Sequence, residues 1–167
     1  MISSDHESIN KLAYENALNS LSMQRSSLTS LRQRSVAITT LSGLSATFLG
    51  KEALLNSKRG DLLCLDIVLF AEGAAITFLV IALLCSIELL RPRKDWVFYN
   101  RPSEIINQFS FGDNVATLSE TYVILSIYME EHYSINLTQL SRMYYVLNIA
   151  IASCFLQIIC WFFSLIL

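Results

Sequence analysis

Residues 62–90 read LLCLDIVLFAEGAAITFLVIALLCSIELL, and this stretch decides the fold. From Gly73 to Ile87 it carries no charge. As a helix, the block can cross a hydrocarbon core of about 30 Å with room to tilt. Asp66 and Glu72 lie in its first half. Arg91-Pro92-Arg93-Lys94 closes it. Pro92 is placed to stop the helix, and Trp96, Phe98 and Tyr99 form an interfacial aromatic cluster.

Two further blocks flank this one. Residues 143–167, MYYVLNIAIASCFLQIICWFFSLIL, are uncharged throughout. Their 25 residues make about 37 Å of helix, enough for a crossing. Tyr144 and Tyr145 would mark the near interface and Trp161 the far one. Residues 35–55, SVAITTLSGLSATFLGKEALL, are less apolar. Ser35 to Gly50 is free of charge but gives only about 24 Å of helix. Continuing to Leu55 closes the gap and leaves Lys51 and Glu52 near the far interface, where a lysine can snorkel. Ser42, Ala46 and Gly50 are spaced by four, as are Thr39, Gly43 and Thr47. Such small-residue rows let helix backbones approach, so this span is expected to pack on other helices.

The remaining segments are polar. Residues 3–34 contain neither proline nor glycine. Tyr14, Leu21 and Leu28 stand seven apart, and Ala17, Gln24 and Leu31 partly fill a second seam. The pattern predicts an amphipathic helix of heptad character. In segment 91–142, Ser103 can cap a short helix over 104–109, and Phe111-Gly112-Asp113-Asn114 reads as a turn. Thr117-Leu118-Ser119-Glu120 is a capping-box pattern. It opens a helical stripe through Tyr122, Leu125 and Met129 that is expected to end near His132.

The expected fold is therefore an all-α integral membrane protein. It has a cytoplasmic amphipathic helix (1–34), a transmembrane hairpin (about 35–55 and 62–90), a cytoplasmic helical segment (91–142) and a C-terminal transmembrane helix (143–167). The twelve Lys and Arg residues orient it. Segments 1–34 and 91–142 hold nine of them and the 35–61 region three. The positive-inside rule then puts the N-terminus in the cytoplasm and the C-terminus outside, in the cell's inner (plasma) membrane. A two-span alternative would divide the charges seven against five and discriminates poorly.

Composition narrows the function classes. The chain is 53% hydrophobic and only 16% charged, with a formal net charge of −2. Nothing there attracts nucleic acid. Cys64, Cys85, Cys154 and Cys160 form no CxxC pair and share no metal-ligand spacing with His6 or His132. No phosphate-binding loop, metalloprotease helix or nucleophile–base set is present. No cofactor, metal or catalytic role is expected.

The candidate functional residues are polar groups inside the spans. An intramembrane carboxylate suggests an ion path or proton relay, which singles out Glu72 and, nearer the end, Asp66. Six residues separate the two, about 240° around a helix, so they do not share a face. Glu72 could instead pair with Ser, Thr or Lys51 of the first span. Asn148 and Gln157 lie nine residues apart, on opposite sides of the last span, and suit interhelical hydrogen bonds. Arg32, Arg34, Arg91, Arg93 and Lys94 set topology and can meet lipid headgroups. Asn136-Leu137-Thr138 matches a glycosylation sequon but falls on the expected cytoplasmic side.

Leu31-Arg32-Gln33-Arg34, Thr47-Phe48-Leu49-Gly50, the Leu90-Arg91-Pro92 exit and the Asn136, Leu140, Arg142 run resemble a group of small bacterial three-span membrane proteins. More distantly, a basic helix, two close spans and a helical cytoplasmic part resemble SLATT-type membrane effector domains. That resemblance implies a homo-oligomeric, membrane-permeabilising component of bacterial defence or stress systems. It assigns no site residues, and the third span departs from its pattern. The alternative expectation is a non-enzymatic membrane subunit or scaffold that docks a cytoplasmic partner.

Overall fold

A computed structural model describes residues 2–56, 62–92, 96 and 117–166; the side chains of 2–5, 53–56 and 62–66 fall outside that description. Three helices make up the described chain: α1 (Ile2–Asn56), α2 (Leu62–Leu90) and α3 (Leu118–Ile166). The chain divides into two units. Unit 1 comprises Met1–Thr29 and Arg93–Ser141, and unit 2 comprises Ser30–Pro92 and Arg142–Leu167.

Two expected element boundaries do not exist. Residues 3–34 and 35–55 belong to one helix of 55 residues. The stripe expected to end near His132 continues into the last apolar block as one helix of 49 residues. The physical reason is local: α1 contains no proline, α3 contains neither proline nor glycine, and a change of polarity alone does not break a helix. Breaks appear where their signals are. α2 ends at Leu90, just before Pro92, with the Arg91 N–H donating to the Ile87 carbonyl at 2.9 Å. The capping box at the start of α3 forms as expected. The Thr117 N–H donates to Glu120 Oε2 at 2.8 Å, and the Glu120 N–H donates to Thr117 Oγ1 at 3.3 Å. The proposed helix over 104–109, the turn at 111–114 and the loop 57–61 lie outside the described residues.

In unit 1, α1 and α3 run parallel. Asn10 Nδ2 donates to Ser119 Oγ and Gln24 Nε2 to the Tyr133 carbonyl, both across a separation of 109 residues. Tyr14 and Tyr122 rings meet at 5.4 Å between the two. The buried seam consists of Leu21, Gln24 and Leu28 against Met129, Asn136 and Leu140. The heptad character of 3–34 is thus fuller than the sequence suggested. Burial of Asn136 inside this seam also removes the sequon as a modification site.

In unit 2, three helices pack together. Ser35 Oγ meets the Ser86 carbonyl, while Leu49 packs near Ala75, so α2 runs antiparallel to α1. Gln157 reaches Ser42 and Ser45, and Trp161 lies on Gly50, so α3 runs parallel to α1. Two helices in the described chain, over Ile67–Leu90 and Leu118–Ile166, are long and apolar enough to cross a membrane. α1 is not the third by that measure. Six Ser and Thr residues and two glycines between Ser35 and Gly50 lower its apolarity.

Candidate functional site

The interior of unit 2 is where polarity and burial coincide. Its seams place polar side chains at intervals of three, four and seven residues. On α1 these are Ser35, Ser42 and Ser45; on α2, Glu72 and Ser86; on α3, Ser153, Gln157 and Ser164. The apolar residues among them include Ala75, Ala82 and Ala150, each with no exposed surface, and the larger Leu31, Leu89, Leu147 and Trp161. The outer surface is the reverse. Val36, Leu41, Leu44 and Phe48 on α1 face outward, as do Phe70 and Leu84 on α2 and Phe155, Phe162 and Phe163 on α3.

Three levels of contact organise the interior. Ser35 Oγ donates to the Ser86 carbonyl at 3.4 Å. Further along, Gln157 Nε2 donates to both the Ser42 carbonyl and Ser45 Oγ, each at 3.0 Å. This one amide ties α3 to α1. Beyond it, Ser164 Oγ donates to Glu72 Oε1 at 3.2 Å. Between the last two levels Trp161 lies against Gly50. A Cβ at Gly50 would stand 3.0 Å from Trp161 Cζ2, tighter than nearly all real Cβ contacts. The indole thus packs closely over the glycine backbone, and Ala75, Leu49, Cys160 and Leu165 complete the cluster.

The expected site residues divide accordingly. Glu72 is buried, and its partner is Ser164 of α3 rather than a residue of α1. Gln157 is fully buried and makes the expected interhelical bonds. Asn148 faces outward, half a turn away, and does not join α3 to another helix. Of the two small-residue rows, Ser42 and Gly50 are buried and Ala46 is half-buried. In the other, Thr39 is half-buried while Gly43 and Thr47 are exposed, and a Cβ at Gly43 would meet nothing within 4 Å. Arg34 and Arg91 are exposed, and Arg32 is half-buried. Arg93, Lys94 and the Asp66 side chain lie outside the described residues.

Trp161 corrects a further expectation. Its side chain is turned into unit 2, packed against Gly50 and Ala75, rather than outward. Ser45, Ser86 and Ser164 were not singled out from sequence either. A count of sevens finds Ser164 and Ser86: Met143, Ala150, Gln157 and Ser164 form one buried row of α3, and Leu147, Cys154 and Trp161 another. Val68, Ala75, Ala82 and Leu89 do the same on α2, with Glu72 and Ser86 in the companion row.

Cys154 is buried, and Cys85 and Cys160 are half-buried; all three are free thiols. Among the described residues no three His, Cys, Asp or Glu side chains come together to hold a metal ion. Fold and interior together define a helical protein with two helices suited to crossing a membrane. No family model, curated protein or solved structure matches the chain.

Proposed function

We propose that the chain is a three-span membrane protein that works without catalysis, as a homo-oligomeric, pore-like effector of the inner membrane. Its N-terminus is cytoplasmic and its C-terminus external. The observation that carries this reading is the inversion of polarity in unit 2. Serines, a glutamine and a glutamate are buried in the interior among leucines, alanines and a tryptophan, while phenylalanines and leucines cover the outside. In water such an exterior would aggregate; in lipid it is the stable surface.

The case for α1 as a third span rests on its neighbours. Ser42, Ser45 and Gly50 pack against Gln157 and Trp161, well inside the uncharged stretch of α3. A helix lying on the membrane surface could not reach that depth. The hydroxyls that lower its apolarity are largely satisfied by α1 itself. Thr39, Thr40 and Thr47 each donate to the carbonyl four residues earlier, and Ser45 to the one three earlier. Such internally bonded hydroxyls are tolerated in membrane helices. Self-association is supported by the outward Gly43 and Asn148, which offer lipid a backbone approach and a polar amide. The link to bacterial defence rests on the SLATT resemblance alone.

Single cysteines at Ser57 and Leu167, in an otherwise cysteine-free chain, should both label from outside intact cells. Protection of either overturns the three-span orientation. Native mass spectrometry of the detergent-solubilised chain should show an oligomer that Asn148→Leu and Gly43→Leu weaken. Induced expression with a potential-sensitive dye should show depolarisation, and a silent wild type would sink the effector reading.

A scaffold reading has its own observation. Ile9, Leu12 and Met23 on α1 and Ile124, Ile127 and Ile135 on α3 are among the exposed apolar side chains of unit 1. A groove of 380 Å³ in the same unit is lined by Ala17, Ser20, Met129 and Tyr133, among others. A soluble partner seated there would be lost on Leu12→Glu and Ile127→Glu, with membrane insertion unchanged.

A further inference from the structure

In unit 1, two hollows lie between α1 and α3, one of 350 Å³ and one of 380 Å³. The register of the two helices is constant, since Asn10 meets Ser119 and Gln24 meets Tyr133, each across 109 residues. On α3 the walls of the hollows are Ser119, Val123, Ser126, Glu130 and Tyr133, spaced by four and three in turn. On α1 they are Asn10, Ala13, Ala17 and Ser20, spaced by three, four and three. Such spacing keeps each wall on one face of its helix. The two hollows therefore continue one another as a single groove. It forms a second seam of heptad spacing, beside the buried one of Leu21, Leu28 and Met129.

Shape and charge select what fits this groove. From Ser119 to Tyr133 it is about 21 Å long, the length of about four helical turns. Ala13, Ala17 and Ser20 keep the α1 wall low, which leaves room for an occupant's side chains. Asn10 Nδ2 donates to Ser119 Oγ at 2.8 Å, Ser20 Oγ to the Asn16 carbonyl at 2.9 Å and Ser126 Oγ to the Tyr122 carbonyl at 2.7 Å. These groups are already bonded within the unit and ask nothing of an occupant. Charge does ask something. Glu120 and Glu130 stand on the lining, and no Lys or Arg does. No described cation pairs with Glu130. From residue 117 to 141, α3 carries three glutamates and neither Lys nor Arg. A second copy would add like charge. Among the described side chains of unit 1, Glu7, Glu15, Glu120, Glu130 and Glu131 outnumber Lys11 and Arg25, and Lys11 is already paired with Glu15. Like charges brought together suppress a partner and opposite ones select it.

We propose that this groove receives a basic amphipathic helix of a partner protein, with an apolar seam of alanine- to leucine-sized side chains flanked by Lys or Arg. The inference rests on the scaffold reading above and deepens it by naming the partner's chemistry. The partner's seam covers Ala13, Ala17, Val123 and the buried floor at Met129. Its cations lie beside Glu120 and Glu130. In recognition of this kind the apolar stripe anchors the helix, and the flanking charges set which helix is accepted.

The test uses the full chain in phosphatidylcholine nanodiscs and a fluorescent synthetic helix of about 20 residues, long enough to hold its turns. The peptide carries Ala and Leu in its seam and Lys elsewhere, and fluorescence anisotropy reads its binding. It should bind, and a counterpart with Glu for every Lys should not. Ala17→Trp fills the groove and should abolish binding. Glu130→Lys should weaken it about tenfold or more. Glu131→Lys makes the same charge change outside the lining and should weaken it at most about threefold. Helicity and elution volume identify any variant that fails to fold, and Glu130→Lys, at an exposed position, is the mildest of the set. A wild type that binds neither peptide, or both alike, overturns the proposal. So do equal effects of Glu130→Lys and Glu131→Lys, which would reduce the attraction to general charge. Binding lost in Leu12→Glu but kept in Ala17→Trp overturns the groove and leaves the scaffold reading standing. Binding kept in both defeats the two together. An oligomer mass that falls on Ala17→Trp without peptide overturns the proposal in favour of a second copy.

Discussion

Leu21, Leu28, Ser35 and Ser42 follow one another at intervals of seven on α1, and all four are buried. The first two belong to unit 1 and the second two to unit 2. Around the leucines the helix surface is mostly polar, although Leu18 and Met23 are exposed, and Lys11 and Glu15 form an exposed pair at 3.9 Å. Around the serines it is Val36, Leu41, Leu44 and Phe48. One helix therefore keeps its period and exchanges what it hides. The difference teaches that the repeat sets which residues meet another helix, while the surroundings set their chemistry. In water the seam gains by burying leucine. In lipid, burying leucine gains little, and close backbones and hydrogen bonds decide.

The largest test of the contrast is Leu21→Ala. In unit 1 this removes apolar burial as well as contacts, and should cost about 2–5 kcal/mol. Amide hydrogen exchange should show protection falling in 10–28 and 119–140. If the loss is confined to one turn, unit 1 is not a cooperative seam. Next in size is Gly50→Ala. The added methyl meets the Trp161 ring at 3.0 Å and should cost about 1–3 kcal/mol of unit 2 stability, read as thermal unfolding in detergent. Gly43→Ala is its control, since its Cβ meets nothing, and helix propensity should make it neutral or stabilising by up to about 1 kcal/mol. Equal effects at the two glycines would show that the Trp161 contact does not organise the interior.

Much of this was legible in the sequence, for identifiable reasons. Residues 62–90 and 143–167 read as helices because their length and lack of charge leave few alternatives. Thr117 and Glu120 read as a cap because the motif is local. The continuity of α1 and α3 was harder to see, because the eye divides a chain where polarity changes, and helices end at prolines and caps instead. Trp161 was misplaced because an aromatic near a span end suits an interface equally well, and only its spacing from Leu147 and Cys154 puts it inside. The partner of Glu72 could not be read at all. Ser164 lies 92 residues away, and only the packing of α2 on α3 joins them.

A subtler separation comes from two glutamines, each buried at a seam position. Gln24 of unit 1 uses its amide nitrogen on the Tyr133 carbonyl and leaves Oε1 without a partner; Gln157 does the same in unit 2 with Ser42 and Ser45. Gln24→Leu exchanges one hydrogen bond for apolar burial in water, so it should be neutral or stabilising. On the membrane-spanning reading Gln157→Leu has no such compensation and should cost about 0.6–2 kcal/mol. Denaturation of the two variants side by side checks this. Matching signs would mean that both seams face the same surroundings, and the contrast between the units would fail.

The smallest expected effect is on the cap of α3, and it carries a sign. The Thr117 backbone N–H, and after it the Thr117 hydroxyl, donate to the Glu120 carboxylate and hold its pKa below the ordinary glutamate value. The folded value is depressed, so the cap's contribution is fully present above the unfolded value of about 4.3. It is lost as pH falls through the lower folded value. Nothing should therefore change at this helix start between neutral pH and about pH 5. Below the ordinary glutamate range the Thr117 and Glu120 amides should lose protection together, while the seam around Met129 keeps its own. An amide-resolved pH titration reads both. Loss of the Thr117 amide's protection well above that range would mean that the carboxylate is not what holds the first turn.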